Sequence, residues 1–517
     1  IDSGASGTGN GAVGYTVSAN TGDARTGTIT IAGETFTVTQ SAPQNTSGTI
    51  INTDSAYNGY TLFSPLNSPD TYLINNNGDV IHSWSLTRNT VSSVYLLENG
   101  NILRTAKGQD NTNFSGASLG ISAIQQVDKD GTTVWSYEYP DTNHLMHHDM
   151  AYLPNGNVLI IVYEIKTYDE LIAAGRNPEL IDASPDQLLW VDSIIEVEPS
   201  GTSGGNIVWQ WHVWDHLVQD YDAAKSNYGT VADHPELIDL NYVQTQSQSY
   251  KDWTHANSVS YIEQYDQIII SVHNFSEVWI IDHSTTTDEA ASHSGGSSGK
   301  GGDILYRWGN SQTYGASDAS AQKLYTQHDA QVIASDLPGA GNIILFNNGR
   351  NRSDGDYSSV DEFTPPVDAN GTYSLTNGSA YGPTEQSWIY TADTPTDLFA
   401  DSLSGAQRLP NGNTLICSGT EGAFLEVNND KEILWKYINP YTVELPSGTS
   451  SSVFKIRRYD LDYPGLADYI TECDANINPI EANIDSNAYN GTVTVTIPSS
   501  CPWTASTTET WITIDSG

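Results

Sequence analysis

The sequence predicts an all-β chain built around a six-bladed β-propeller. Two recurring phrases, and the number of times the second recurs, predict it. One is a tight turn followed by a buried strand: "LLENGNILR" from Leu96, "YLPNGNVLII" from Tyr152, "LPGAGNIILF" from Leu337 and "RLPNGNTLIC" from Arg408. The other is a short turn followed by an outer strand that ends in an aromatic residue. It stands at Ile74 ("INNNGDVIHSW"), Val127 ("VDKDGTTVWSY"), Val197 ("VEPSGTSGGNIVWQW"), Ile281 to Trp308, Val367 to Tyr390, and Val427 ("VNNDKEILWKY"), six copies in all. A single blade cannot bury both of its faces, so one copy per blade implies six blades that stack and close a ring. A stacked pair of β-sandwiches is the rival arrangement, and the regular cadence of turn, strand and aromatic disfavours it.

In chain order, Thr26 to Gln40 alternates polar and β-branched residues and reads as two strands joined at Ala32-Gly33. Residues 42–58 read as a linker and 59–445 as the propeller. In the first phrase Asn-Gly is the hairpin signal, because both turn residues can take positive φ. The stretch "YDELIAAGRNPELID" (Tyr168 to Asp182) reads as a helical insertion, as does part of "DHLVQDYDAAKSNY" after Asp215. Residues 446–472 read as a connecting segment, and Asn490 to Ile514 as strand, turn, strand, strand.

The chain has 517 residues and a formal net charge of −42, from 62 acidic and 20 basic residues. That surface repels nucleic acid and anionic lipid and suits a secreted, extracellular or cell-surface protein. Carboxylates and carbonyls are hard-cation ligands, so Ca²⁺ is a possible surface ion, while no cofactor is required. No apolar run approaches the ~20 residues of a membrane span. Of the three cysteines, Cys417 in "LICSG" reads as a buried, inert strand residue, and Cys473 and Cys501 could pair in an oxidising compartment.

Several of the twelve histidines sit in polar phrases at the ends of propeller strands: "HLMHHDM" (His144, His147, His148), "DWTHANSV" (His255), "ISVHNFSEVWIIDHSTTT" (His273, His283) and "YTQHDAQVI" (His328). Residues entering the innermost strands of successive blades face one central channel, so these rings can converge although far apart in sequence. Neutral imidazole is a nucleophile near pH 7, a second ring can protonate a leaving group, and further cations can hold the charge on a transferring group. Metal binding is the second use, and no local ligand spacing supports it. The third reading is that they are satisfied histidines fixing loops, the better one for His82 and His212 beside tryptophans.

On the phrases "HHDM", "DWTHANSV", "QHDAQ" followed by "NIILFNNG", and "SGAQRLPNGNTLICSG", the stretch from Gly59 to Pro440 resembles the arylsulfotransferase family. The resemblance implies a bacterial six-bladed propeller that moves a sulfuryl group from an aryl sulfate to a phenol through a sulfated histidine, without a nucleotide donor. By motif, His328 matches that nucleophile, His148 and His255 the histidines that handle protons and sulfate oxygens, and Asn257 a sulfate-binding amide. Asp149, Asp252 and Asp329 could orient the neighbouring rings. In the best-described members of the family an arginine occupies the place of His273, a ring charged only below about pH 6.5, so the charge on the sulfate would be held more weakly, or Arg350 or Arg352 would have to hold it.

The chain opens and closes on "IDSG". Joined through one copy of it, residues 473–517 and 1–41 resemble the two halves of a BACON domain, an extracellular immunoglobulin-like β-sandwich. The resemblance is carried by Cys501, Trp503, Trp511, "GASGTGNG" (Gly4 to Gly11), Asn20, "RTGTITI" and "FTVTQ". Neither half is long enough to close a sandwich by itself. The expectation is a head-to-tail array of identical subunits that complete one another's sandwich, in a tandem protein or a filament. The alternative to an enzyme is then a structural subunit with a non-catalytic propeller; glycan binding by the sandwich rests on the resemblance alone.

Overall fold

The computed structural model describes residues 13–18, 25–32, 34–40, 46–108, 111–139, 141–181, 187–243, 251–376, 378–446 and 448–470, with 476–478, 493–496, 503 and 505. Six antiparallel sheets, four of four strands and two of five, make a propeller; the fifth strand of blade three is Gly120–Ile121, paired with His144–Tyr152. From the channel outward, blade two is Thr90–Leu96, Ile102–Ala106, Ala123–Val127 and Thr133–Tyr137. Blade three runs His144–Tyr152, Val158–Lys166, Leu189–Pro199 and Gly205–His212; blade four Ala256–Ile262, Gln267–Val272, Glu277–Asp282 and Tyr306–Trp308. Blade five runs His328–Val332, Ile343–Asn347, Ser359–Phe363 and Trp388–Tyr390; blade six Gly405–Arg408, Thr414–Ser418, Ala423–Val427 and Ile433–Ile438.

Blade one closes the ring. Its outer three strands are Gly59–Phe63, Asp70–Ile74 and Val80–Ser85, but its innermost strand is Arg457–Asp460, paired with Gly59–Phe63 from the far end of the chain. Gly48–Asn52 adds a fifth strand to the outer edge of blade six. Both strands lie outside 59–445, in segments read from sequence as linkers. Their edges are polar and carry no Asn-Gly turn, and they become strands only because a neighbouring blade offers an open edge.

The tryptophan within each outer strand has a specific task. Each indole N–H donates to a backbone carbonyl in the loop between the third and fourth strands of the next blade: Trp84 to Asp128 (3.0 Å), Trp135 to Gly204 (2.9 Å), Trp211 to Gly302 (2.7 Å), Trp308 to Pro383 (2.7 Å), Trp388 to Asn429 (3.2 Å) and Trp435 to Asn76 (2.7 Å). The ring of six bonds runs once around the molecule. Each indole buries its apolar body between blades while satisfying its one donor.

In the Asn-Gly turns only the glycine is left-handed, with φ of 83° at Gly100 and 89° at Gly412. The asparagine before it is not; its side-chain oxygen instead accepts the backbone N–H two residues on, as Asn99 does from Asn101 and Asn411 from Asn413. The helical insertion is present as Tyr168–Ala174, capped by reciprocal Thr167 and Glu170 bonds and ended by left-handed Gly175. The one read after Asp215 is absent. There the Gln219 side chain accepts from the backbone N–H of Tyr221 and Asp222, taking the role a helix turn would have played.

Cys417 is fully buried and free, and burial raises its thiol pKa. Cys473 and Cys501 lie outside the described residues. Toward the ends, Arg25–Ile31 pairs with Glu34–Gln40 and Asn476–Asn478 with Thr494–Thr496; these pairs do not make a sandwich among the described residues. No helix among the described residues is long and apolar enough to cross a membrane.

Candidate functional site

The inner strands are irregular where the histidines stand. Pairing breaks register between Met146 and Met150 in blade three, between Ala256 and Ser258 in blade four, and between His328 and Gln331 in blade five. His148, His255 and Asp329 take left-handed backbone, with φ of 55°, 53° and 57°. Such bulges take residues out of the ladder and re-aim their side chains. The rings of His148 and His255 meet those of His273, in the turn His273–Phe275 that follows the second strand of blade four, and of His328, which still pairs with Phe346. Ring centroids are 4.5 Å apart for His148 and His255, 4.8 Å for His255 and His273, and 5.5 Å for His273 and His328. Phe454 packs 6.2 Å from His148 and 6.3 Å from His328.

Hydrogen bonds fix which nitrogen of each ring is bare. Asn348 donates its amide N–H groups to the carbonyls of Ala400 (2.8 Å) and Leu403 (3.1 Å), so the atom facing His328 is its oxygen. His328 Nδ1 lies 2.8 Å from that oxygen and must donate, leaving Nε2 with its lone pair. Asn274 repeats the device: it donates to the Asp252 carbonyl (2.7 Å) and its oxygen accepts from His273 Nδ1 at 2.8 Å. His148 Nδ1 is 2.8 Å from Nδ1 of His147, whose Nε2 lies 2.9 Å from the Asp192 carboxylate and whose ring stacks on Tyr163. A proton on His147 Nε2, facing the carboxylate, makes His148 Nδ1 the donor and leaves its Nε2 bare.

The charges divide accordingly. Burial pushes His328 down to about 4, and burial with the neighbouring rings holds His148 and His273 well below their ordinary value. His255 goes the other way. Burial opposes its charged form, but Asp252, 2.5 Å from Nδ1, outweighs that by charge and hydrogen bond and raises it. The cluster is therefore three rings held toward the neutral form, with bare Nε2 atoms, around one held toward the charged form. His255 and His273 are the partly exposed members, and His148 and His328 sit behind them.

Other residues singled out in the sequence are arranged differently. Asn257 is buried and donates its amide to the Gln327 carbonyl at 2.7 Å. Arg352 is held by the Tyr357 carbonyl and Ser359 Oγ and lies over the rings of Tyr325 and Tyr357. Arg350 is half-buried, has no hydrogen bond or ion pair among the described residues, and acts electrostatically on His273. Asp252 orients His255, but Asp149 and Asp329 orient no ring. Asp149 binds Ser93, Tyr95 and Lys455, and Asp329 takes Lys455 and both ends of Arg457. The reason is ring closure: the returning strand carries Lys455 and Arg457 into the channel, where each carboxylate has a cation nearer than an imidazole. This network borders a cavity of about 1050 Å³, and none of the four rings lines that space.

Asn348, Asn274, Lys455 and Arg457 were not singled out from the sequence, and His147 was named among the phrase histidines without the role it has here, of fixing the His148 proton. Asn348 stood in the phrase "NIILFNNG", and the hairpin that pairs His328 with Phe346 brings it alongside. His212 and His82 are satisfied residues, on Glu164 and on the Lys129 carbonyl respectively.

The profile of the arylsulfotransferase (ASST) family matches residues 49–469. No curated protein is significantly similar to the chain. Among solved structures, a protein of unknown function from Bacteroides caccae has a TM-score of 0.40 at 11% identity, over 78% of this chain and 98% of that one. A Lactobacillus plantarum protein scores 0.38 at 10% identity, covering 78% and 100% of the two chains. A periplasmic gluconolactonase from Pseudomonas aeruginosa scores 0.36 at 10% identity, covering 78% and 99%. Similarity at this level says nothing about activity.

Proposed function

The chain belongs to the arylsulfotransferase family, and we propose that it transfers a sulfuryl group from an aryl sulfate to a phenolic acceptor through His328, as a secreted protein. In the first step His328 Nε2 attacks sulfur, the sulfur–aryl oxygen bond breaks, and the departing phenolate takes the proton of His255. In the second, the acceptor phenol returns a proton to His255 while its oxygen attacks the sulfohistidine, freeing His328. Imidazolium His255 and Arg350 face the charge on the sulfuryl oxygens; neutral His273 contributes none.

The observation that carries this reading is the Asn348 oxygen on His328 Nδ1, which leaves a neutral ring with its nucleophilic nitrogen open. The test is turnover of 4-nitrophenyl sulfate with phenol as acceptor. Release of nitrophenolate that disappears in His328→Ala supports it, and turnover that survives that change contradicts it.

A second reading concerns the ends. The Arg25–Ile31 and Glu34–Gln40 hairpin leaves Ile31 and Phe36 exposed, with Tyr15 against Phe36. Two strands alone are marginal in water, so this face, exposed among the described residues, favours half of a BACON-like sandwich completed by another copy, head to tail. Sedimentation over a range of concentrations tests it: growing assemblies support the array, and one unchanging species contradicts it.

A further inference from the structure

Outside the channel, at the seam between blades three and four, a second constellation has no part in this chemistry. His216 follows the outer strand of blade three. His293 and Asp303 belong to the long Gly/Ser-rich excursion between the third and fourth strands of blade four. His216 Nδ1 lies 2.9 Å and His293 Nδ1 2.7 Å from the same Asp303 oxygen, Oδ1. All three atoms fall within 4.8 Å of one another.

The buried ring decides what can sit there. His216 Nε2 lies 2.8 Å from the Ala290 carbonyl, which only accepts, so Nε2 carries the proton. In a neutral ring Nδ1 then points its lone pair at a carboxylate oxygen, and His293 Nδ1 approaches that oxygen too. A cation resolves this contact: either a second proton on His216 or a metal ion shared by all three atoms.

The surroundings are built to hold the geometry. Trp211 stacks on His216 with centroids 5.7 Å apart and donates to the Gly302 carbonyl, next to Asp303. Gly302 leaves no room for a side chain, since a Cβ there would fall 2.0 Å from the Ala290 oxygen and 2.6 Å from His216 Nε2. The His293 side chain is 62% exposed, so a fourth coordination position would open to solvent.

We propose that His216, His293 and Asp303 bind one Zn²⁺ ion, which clamps the blade-four excursion to blade three. Two imidazoles and a carboxylate with one open position suit this borderline metal, and hard Ca²⁺ prefers oxygen-rich sites. Zinc–ligand bonds of about 2.0–2.1 Å place tetrahedral ligand atoms roughly 3.3 Å apart, so the two Nδ1–Oδ1 contacts need open only slightly.

The experiment is calorimetric titration of untagged, chelator-treated full chain with ZnCl₂, repeated on His293→Ala, Asp303→Asn and His273→Ala, the last removing a channel ring. The expected result is one Zn²⁺ per wild-type chain and an affinity lowered on the order of tenfold or more in His293→Ala and Asp303→Asn. His273→Ala should bind as the wild type does. Zn²⁺ should also raise the melting temperature of the wild type and leave that of His293→Ala unmoved. The proposal is overturned if the wild type binds no Zn²⁺, if His293→Ala and Asp303→Asn bind as tightly as wild type, or if equimolar Ca²⁺ displaces the ion.

Discussion

The smallest unit of this account is a ring nitrogen and the atom that fixes its proton. Asn348 has both amide hydrogens committed to backbone carbonyls, so it can only accept from His328. Asn348→Ala should leave the fold standing, release the ring to either tautomer, and lower kcat by about 10–100-fold with little change in KM; steady-state kinetics read it. The pH profile follows from two groups that are moved in opposite directions. His328 must be neutral, and burial sets it at about 4, so the rate of aryl release rises as pH climbs through that value. His255 must be protonated, and Asp252 raises it, so the rate falls once pH passes a point above 6.5. In Asp252→Asn that descending limb should shift to lower pH while the ascending limb stays; a pre-steady-state burst measured from pH 3 to 9 separates them. Asp252 was legible because it sits three residues from His255. Asn348 was not, because it reaches His328 across a hairpin.

At the scale of strands, two kinds of element do different work. Outer strands hold the ring through one indole each. The phrase ending in an aromatic was legible since tryptophan must bury its body and still satisfy its N–H. Which carbonyl it would meet depends on the next blade and is not local information. Trp435→Phe removes the bond to the Asn76 carbonyl at the closing seam and should cost about 1 kcal/mol in a denaturant titration, with turnover unchanged because the channel is untouched. Inner strands, in contrast, are interrupted by bulges at His148, His255 and Asp329. Sequence showed the polar phrases that mark these interruptions. It did not show the left-handed backbone, which for such residues exists only where surrounding structure enforces it.

For the molecule as a whole, closure is the event that joins fold and site. The strand Arg457–Asp460 completes blade one and delivers Lys455 and Arg457 to Asp149 and Asp329, the carboxylates next to His148 and His328. Arg458 adds a buried ion pair with Glu426 of blade six and lies 4.4 Å over the Trp435 ring. Blade number and the meeting of the histidines could be read from repeats, because each repeat places its residues equivalently. The closing strand could not, because it occurs once and pairs across almost the whole chain. The closed ring also sets the charge around the channel in a protein of net charge −42: Asp149 and Asp329 are paired with the returning Lys455 and Arg457. The central claim is that His328 Nε2 takes the sulfuryl group, and trapping the intermediate tests it most directly. The chain is mixed with an aryl sulfate in the absence of acceptor, quenched in alkali, digested, and its peptides are mapped by mass spectrometry. One sulfuryl group on the peptide bearing His328, discharged when phenol is added, is the predicted result; an unmodified His328 peptide during turnover, or the sulfuryl group on another residue, would contradict it.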